Sequence, residues 1–146
     1  MNTNSENPGV GKKFQNRVLS IARERFGTNF IEEHPIPVGN PAKNHRFDVV
    51  SEDNKIVIEC KCYTWTNGNN VPIAKMATLN AAVLYMLWLP EDTHKIFALK
   101  KDVRHRTSET LAGYYCRTHG HLLGDIEVWE IDEDGNLSVI RKMDGK

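Results

Sequence analysis

Hydrophobic residues recur at helical spacing near the start of the chain. Between residues 11 and 26 the apolar positions lie three or four residues apart: Phe14, Val18, Ile21, Ala22 and Phe26. This spacing places them on one face of a helix, and Gly27 is a natural end for that helix. We therefore predict an amphipathic helix over residues 11–26. Residues 1–10 are polar, and we expect them to form a flexible N-terminus.

The next part of the chain has the pattern of strands. Residues 29–38 contain an apolar pair followed by two prolines, which predicts a short edge strand before a turn-rich connection over residues 39–45. Two further strands are predicted over residues 46–51 and 55–63, joined by a tight polar turn. Strict alternation in the second of these strands assigns its residues to two faces, with Val57, Glu59, Lys61 and Tyr63 on one and Ile56, Ile58, Cys60 and Cys62 on the other.

The second half of the chain predicts two more helices, a strand and a hairpin. Pro72 suits the first position of a helix that ends near Trp88, and its core face is expected to carry Met76, Leu79, Val83, Met86 and Leu87. A strand over residues 95–100 is followed by a helix capped by Thr107 or Ser108 and ending near His119. Alternation over 126–131 and 137–141, around Asp134-Gly135-Asn136, predicts a β-hairpin. The predicted fold class is therefore α/β, with one domain over residues 11–146.

Composition narrows the class of protein. The 146 residues are 40% hydrophobic and 26% charged, which is typical of a globular domain, and the 19 basic and 19 acidic residues exclude a histone-like polycation. Three cysteines do not make a disulfide framework. The longest apolar run, residues 81–89, is too short to span a bilayer. We expect a cytoplasmic protein without a membrane partner.

Charged residues within an apolar strand are the strongest chemical signal. Glu59 and Lys61 project from the same face, and the predicted hairpin brings Asp48 on the neighbouring strand close to Glu59. Two carboxylates and an ammonium group can hold a divalent cation, which neutralises a phosphate, while the lysine positions or helps to deprotonate a water. The alternative is a cross-strand ion pair with a purely structural role.

The order Phe47-Asp48, hairpin, Glu59-Cys60-Lys61 resembles the PD-(D/E)XK nuclease superfamily. The resemblance covers residues 11–99 and implies the restriction-endonuclease-like core of helix, three-stranded meander, helix and strand, to which this chain adds a helix and a C-terminal β-hairpin. It also implies that Asp48, Glu59 and the backbone carbonyl of Cys60 bind Mg²⁺, for which Mn²⁺ can substitute. Lys61 would then activate the water or stabilise the transition state.

This chain departs from the superfamily pattern at two positions. Phe47 replaces the proline of the motif. Gln15 lies where many members carry a glutamate in the first helix; a glutamine can hold a metal-bound water but supplies no charge.

The resemblance implies a metal-dependent endonuclease that hydrolyses phosphodiester bonds, preferably in DNA. Two alternatives stay open: an RNA-cleaving nuclease, and a catalytically inactive nucleic-acid-binding or assembly module on the same fold. A homodimer would allow such a small enzyme to cut both strands. The residues expected to contact nucleic acid at the rim of the site are Lys43, Asn44, His45, Arg46, Trp65, Asn69 and Lys75. For Trp65 the sequence leaves open whether it stacks on a base or closes the edge of the core.

Other groups of residues invite simpler explanations. Cys60 and Cys62 share the face opposite the carboxylates, as small core residues do. The spacing of Cys116, His119 and His121 suggests zinc but lacks a second pair of ligands. Leu137 occupies the position where a calcium loop beginning at Asp132 needs glycine, so that segment is interpreted as a hairpin turn. Six basic residues between His94 and His121 suit either a polyanion or an ordinary solvated face: Lys95, Lys100, Lys101, Arg104, Arg106 and Arg117.

Overall fold

The computed structural model describes residues 8–66 and 70–144. In these residues three α-helices and six strands follow one another along the chain. Their bounds are α1 Pro8–Phe26, β1 Phe30–Val38, β2 Lys43–Ser51, β3 Ile56–Lys61, α2 Ile73–Leu87, β4 His94–Lys100, α3 Leu111–His119, β5 Glu127–Ile131 and β6 Leu137–Arg141. A 3₁₀ turn, Gly120–Leu122, extends α3.

The six strands form one open mixed sheet in the order β1-β2-β3-β4-β5-β6. Short connections make β1, β2 and β3 an antiparallel meander, whereas α2 and α3 are the crossovers that make β4 parallel to β3 and β5 parallel to β4. Strand β6 returns antiparallel to β5 as a hairpin. The predicted α/β class, the order of elements and the C-terminal hairpin are confirmed.

The sheet buries a different hydrophobic cluster on each face. Helix α1 covers one face, where Val18 packs with Ile58 and Trp129. Helices α2 and α3 cover the other, where Met86 and Tyr115 join a second cluster. The alternation predicted for β3 is confirmed, because the isoleucines and cysteines of the strand lie in the first cluster or pack against it, and Val57 and Tyr63 do so in the second.

Several predicted boundaries change. Helix α1 begins at Pro8, three residues before the predicted start. Residues 43–45 belong to β2 rather than to a connection, since pairing with β1 continues as far as Val38 and Lys43 and leaves only residues 39–42 for the turn. In α2 the predicted core residues are buried except Leu87, which is 42% exposed.

The cap of α3 is also corrected. Neither Thr107 nor Ser108 caps the helix; instead the Thr110 hydroxyl accepts a hydrogen bond of 2.9 Å from the amide of Gly113. Residue 108 has a φ of 62° and lies in the loop that precedes the helix. The sequence prediction missed Thr110 because Glu109 and Thr110 were assigned to the helix itself.

None of the helices in the described residues is long and apolar enough to cross a membrane.

Replacing Thr110 by alanine is expected to lower the free energy of unfolding by about 1 kcal/mol, because the first turn of α3 loses its side-chain acceptor. Thr107→Ala is the matched control and is expected to change stability by less than about half that amount, since Thr107 is exposed and makes only a long contact of 3.4 Å to the amide of Glu109. Urea unfolding of both variants measures the difference. Equal losses would contradict the assignment of the cap.

Candidate active site

The candidate site forms where strands β2 and β3 stop pairing. Within the described residues their paired positions are Val49–Ile58 and Val50–Val57, next to the turn that joins the strands. The following pair in this register would be Asp48 and Glu59. Strand β3 remains paired with β4 from Ile56 to Lys61, so the separation affects only its β2 side. The backbone amides beyond Val49 and Ile58 therefore require other acceptors.

The two carboxylates supply these acceptors reciprocally. Glu59 Oε1 accepts a hydrogen bond of 2.9 Å from the amide of Asp48. Asp48 Oδ2 accepts one of 2.8 Å from the amide of Cys60. Each acidic side chain thus reaches across to the opposite strand, and the two carboxylates are held at the same point of the sheet. The proximity of Asp48 and Glu59 predicted from the hairpin is found in the structure.

Burial makes this arrangement unfavourable for two negative charges. Glu59 is 5% exposed, and burial together with the charge of Asp48 raises the pKa of the Glu59 carboxyl to about 8. Burial also raises the pKa of Asp48 above its usual value, although the hydrogen bond from Cys60 and the charge of Lys61 oppose the shift. A pair of carboxylates with raised pKa values needs a cation nearby before both can ionise.

One lysine lies beside the carboxylates, and a second shares its contact with Tyr63. Lys61, at the end of β3, is close enough to lower the pKa of both Asp48 and Glu59, and its Nζ is 6.0 Å from the centre of the Tyr63 ring. Lys75 in the first turn of α2 approaches the same ring at 5.7 Å. Its Nζ is buried and has no hydrogen-bond partner in the described part of the chain. An unpaired buried ammonium favours an anion beside it.

Strand β1 contributes a further acidic group, bonded to α1, that sequence reasoning missed. Gln15 is near the sheet as predicted, but its Nε2 donates to Glu32 Oε1 at 3.1 Å, and Lys12 pairs with the same oxygen at 3.0 Å. The hydrogen bond from Lys12 holds the pKa of Glu32 below its usual value. The neighbouring Glu33 has a φ of 50° and adds to the negative field at Asp48. Two adjacent acids in an edge strand were the signal that could have revealed this group.

Of the residues predicted to contact nucleic acid at the rim of the site, those on β2 differ in exposure. Lys43, Asn44 and Arg46 are exposed along β2. His45 is half-buried and stacks on Tyr85 of α2, with ring centroids 3.8 Å apart and an angle of 11° between the rings. Burial lowers the pKa of His45 below its usual value. The ring of His45 is therefore packed against α2.

Trp65 closes the edge of the core, which corrects its prediction as a nucleic-acid contact. It is 8% exposed, its indole Nε1 donates to the carbonyl of Asp102 at 3.0 Å, and its backbone amide donates to the Asp102 carboxylate at 2.8 Å. Arg104 lies over its ring at 4.6 Å. These contacts leave little of the ring for a base. Asn69 lies outside the described residues.

The remaining candidates do not form sites. In the described residues no group of three His, Cys, Asp or Glu side chains is arranged to hold a metal ion, which removes the zinc alternative; His119 instead stacks on Tyr115. Asp132 accepts hydrogen bonds from the amides of residues 134 and 136, as the predicted hairpin turn requires. Two of the six basic residues between His94 and His121 are already paired with acidic groups: Lys95 is buried against Asp125, and Arg117 pairs with Glu109.

Asp48 and Glu59 fit a hard divalent cation. Both present carboxylate oxygens, the ligand type that Mg²⁺ prefers, and Mg²⁺ commonly uses one or two protein carboxylates with waters and phosphate oxygens completing its shell. A bound cation would also stabilise the ionised forms, which burial disfavours in both carboxyls and which the charge of Asp48 disfavours in Glu59. The chemistry of this donor set therefore suits Mg²⁺ or Mn²⁺, with two protein carboxylates rather than three.

The free energy of unfolding of the wild-type protein is expected to fall as the pH rises from about 4.5 to about 8, and replacing Glu59 by glutamine should abolish this fall. In the unfolded metal-free chain the carboxyl gives up its proton near its ordinary pKa of 4.5, whereas the folded protein keeps the proton up to a pKa of about 8. The folded state binds more protons between these values, so the free energy of unfolding falls as the pH rises through this window. Glu59→Gln should gain up to about 5 kcal/mol relative to wild type across it, which is the free energy that the shift in pKa represents.

Urea unfolding in EDTA at several pH values within this window tests the expectation. The matched control is Glu24→Gln, since Glu24 is an exposed carboxylate on α1. The control should keep the pH dependence of the wild type. A Glu59→Gln profile parallel to the wild-type profile would show that this carboxyl ionises normally.

Comparison with protein-family models, curated proteins and solved structures found no match.

Proposed function

We propose that the protein is a metal-dependent endonuclease that hydrolyses phosphodiester bonds, with DNA as the preferred substrate. The observation that carries the proposal is the reciprocal pairing of Asp48 and Glu59 where β2 and β3 separate. This pairing keeps the buried Glu59 and the half-buried Asp48 together, although burial raises both pKa values and the charge of Asp48 raises that of Glu59 further. A purely structural ion pair would combine one acidic and one basic group, whereas this site combines two carboxyl groups beside a lysine.

The topology supports a restriction-endonuclease-like core. The chain runs through a helix, a three-stranded antiparallel meander, a helix and a strand parallel to the third, which is the order that the resemblance implies. Asp48 lies in the second strand of the meander, and Glu59 and Lys61 lie in the third. We therefore assign the protein to the PD-(D/E)XK superfamily as part of this proposal.

In the proposed mechanism Asp48 and Glu59 hold Mg²⁺ or Mn²⁺, with the backbone carbonyl of Cys60 as a further oxygen ligand. The ion, when bound, neutralises charge on the scissile phosphate and makes a water more acidic. Gln15 and Glu32, which are hydrogen-bonded to each other, lie on the α1 side of the sheet. They orient water molecules of the site rather than binding the ion directly.

The lysines act on the phosphate. Water attacks phosphorus, the bond to the 3′ oxygen breaks, and the products carry a 5′-phosphate and a 3′-hydroxyl. The Lys61 ammonium stabilises the negative charge that grows on the phosphoryl oxygens in the transition state. The buried, unpaired ammonium of Lys75 binds an adjacent phosphate, and Lys43, Asn44 and Arg46 extend the contact along β2.

Replacing Lys61 by alanine is expected to lower the cleavage rate at least about 100-fold, because it removes charge stabilisation specific to the transition state. The assay uses supercoiled plasmid, linear duplex, single-stranded DNA and tRNA, with Mg²⁺, Mn²⁺ or EDTA. Lys55→Ala is a matched control, since Asp53-Asn54-Lys55 repeats the acid-x-Lys spacing in an exposed turn where Lys55 pairs with Asp92. The control should cleave at the wild-type rate.

The outcomes separate the alternatives. Metal-dependent cleavage of tRNA alone would assign RNA as the substrate. Folded protein that binds nucleic acid equally well in Mg²⁺ and EDTA, without cleaving it, would replace the proposal with a catalytically inactive binding module. Cleavage that survives Lys61→Ala would overturn the assignment of the site.

Asp48→Asn is expected to weaken Mn²⁺ binding at least about 10-fold, because the asparagine can still accept the Cys60 amide but carries no charge. Asp53→Asn is the control in the neighbouring turn, where the Asp53 carboxylate accepts hydrogen bonds from Ser51 and Lys55. Titration calorimetry with Mn²⁺ alone measures both variants. Equal affinity of Asp48→Asn and wild type would show that the ion, if bound, is held elsewhere.

A further inference from the structure

The outer face of α2 is exposed and apolar along its whole length. The side chains of Ile73, Leu84 and Trp88 are 78%, 61% and 55% exposed, and that of Tyr85 is 43% exposed. The smaller members of this face are also exposed: Ala74, Ala77, Thr78 and Ala81. We refer to these eight residues as the α2 outer face. Because the opposite side of α2 is buried in the core, the helix is largely apolar on both sides.

Charged residues are missing from this face. Lys75 is the one ionisable group with a formal charge in the sequence of α2, and its ammonium is buried beside Tyr63. A helix face that lies against water normally carries several charges. The larger exposed side chains amount to about 500 Å² of apolar surface, which is at the upper end for the largest patch on a monomeric protein.

The α2 outer face is complementary to its own reverse about Ala81. Its large side chains, Leu84, Tyr85 and Trp88, lie on the C-terminal side of Ala81, and the small residues Ala74, Ala77 and Thr78 lie at matching positions on the N-terminal side. If two copies of the helix cross antiparallel at Ala81, Trp88 of each copy meets Ala74 of the other, Tyr85 meets Ala77, and Leu84 meets Thr78. The alanines permit close approach at the crossing point, and antiparallel helix dipoles attract one another.

A groove continues the same apolar surface onto the β1–β2 hairpin. It has a volume of about 450 Å³ and is lined by residues including Val38, Pro41, His45, Tyr85 and Trp88. The stacking of His45 on Tyr85 fixes one of its walls. The groove shares Leu84, Tyr85 and Trp88 with the α2 outer face, and its far edge, at Lys43 and Asn44, is polar.

We propose that the α2 outer face is the interface of a symmetric homodimer, in which two copies of α2 pair antiparallel about a twofold axis at Ala81. A second copy is the occupant that this pattern fits, because the face is self-complementary in size and carries no charge that would repel its own copy. The formal net charge of zero leaves no overall repulsion between two chains. The dimer does not depend on hydrolytic activity, since Asp48, Glu59 and Lys61 are not part of this surface.

Charge substitutions at the axis test the proposal. Ala81→Glu and Ala81→Lys each place two like charges against each other across the axis, and each should weaken dimerisation at least about 100-fold. A mixture of the two variants should restore the dimer as a heterodimer, because the charges are then opposite. Sedimentation equilibrium of the full chain over a range of concentrations measures the association. Since Ala81 is exposed, both variants should fold, and circular dichroism and thermal unfolding check this.

The control is Ser20→Glu, an exposed position on α1, which should dimerise as the wild type does. A wild-type protein that remains monomeric at all concentrations, or that binds neutral phospholipid vesicles as a monomer, would overturn the proposal. A dimer that survives both Ala81 variants would place the interface elsewhere. Disruption by each variant without recovery in the mixture would overturn the antiparallel arrangement at Ala81.

Discussion

The separation of β2 from β3 is the constraint on which the candidate site depends. Where the strands part, the amides of Asp48 and Cys60 still need acceptors, and the side chains of Glu59 and Asp48 provide them. The carboxylates thus replace backbone carbonyls in the ladder. This holds the two side chains in place more firmly than free surface side chains, with Glu59 buried and Asp48 half-buried. The same hydrogen bonds that stabilise the strand ends therefore hold two carboxyl groups close enough for the charge of Asp48 to raise the pKa of Glu59.

Other charged groups lie around the Asp48–Glu59 pair. Lys61 lies close enough to lower the pKa of both carboxyls, and Lys75 of α2 approaches the same Tyr63 ring as Lys61. On the α1 side the acidic group is Glu32, already neutralised by Lys12 and bonded to Gln15. The proposed cation would neutralise the carboxylates of Asp48 and Glu59, and the proposed phosphate would pair with the lysine ammonium groups. This is the physical reason for preferring a catalytic interpretation to a structural ion pair.

Helix α2 takes part in both the proposed nuclease site and the proposed dimer interface, through its inner and outer sides respectively. Its inner side closes the core and delivers Lys75 to the site, while its outer side presents apolar residues to water. The parallel crossover from β3 to β4 fixes the orientation of α2 against the sheet, and thereby determines which residues face outwards. A change in the packing of α2 would consequently affect both the lysine and the proposed interface.

The sequence by itself determined the order of elements, the two faces of β3 and the proximity of Asp48 to Glu59, because these follow from periodicity and from the short turn between β2 and β3. Only the tertiary structure decided that Glu32 joins Gln15, that Trp65 closes the core and that Thr110 caps α3. These contacts join segments that spacing does not relate, or depend on the path of a loop. Local patterns specify which way a residue points, whereas its partner depends on how the elements pack.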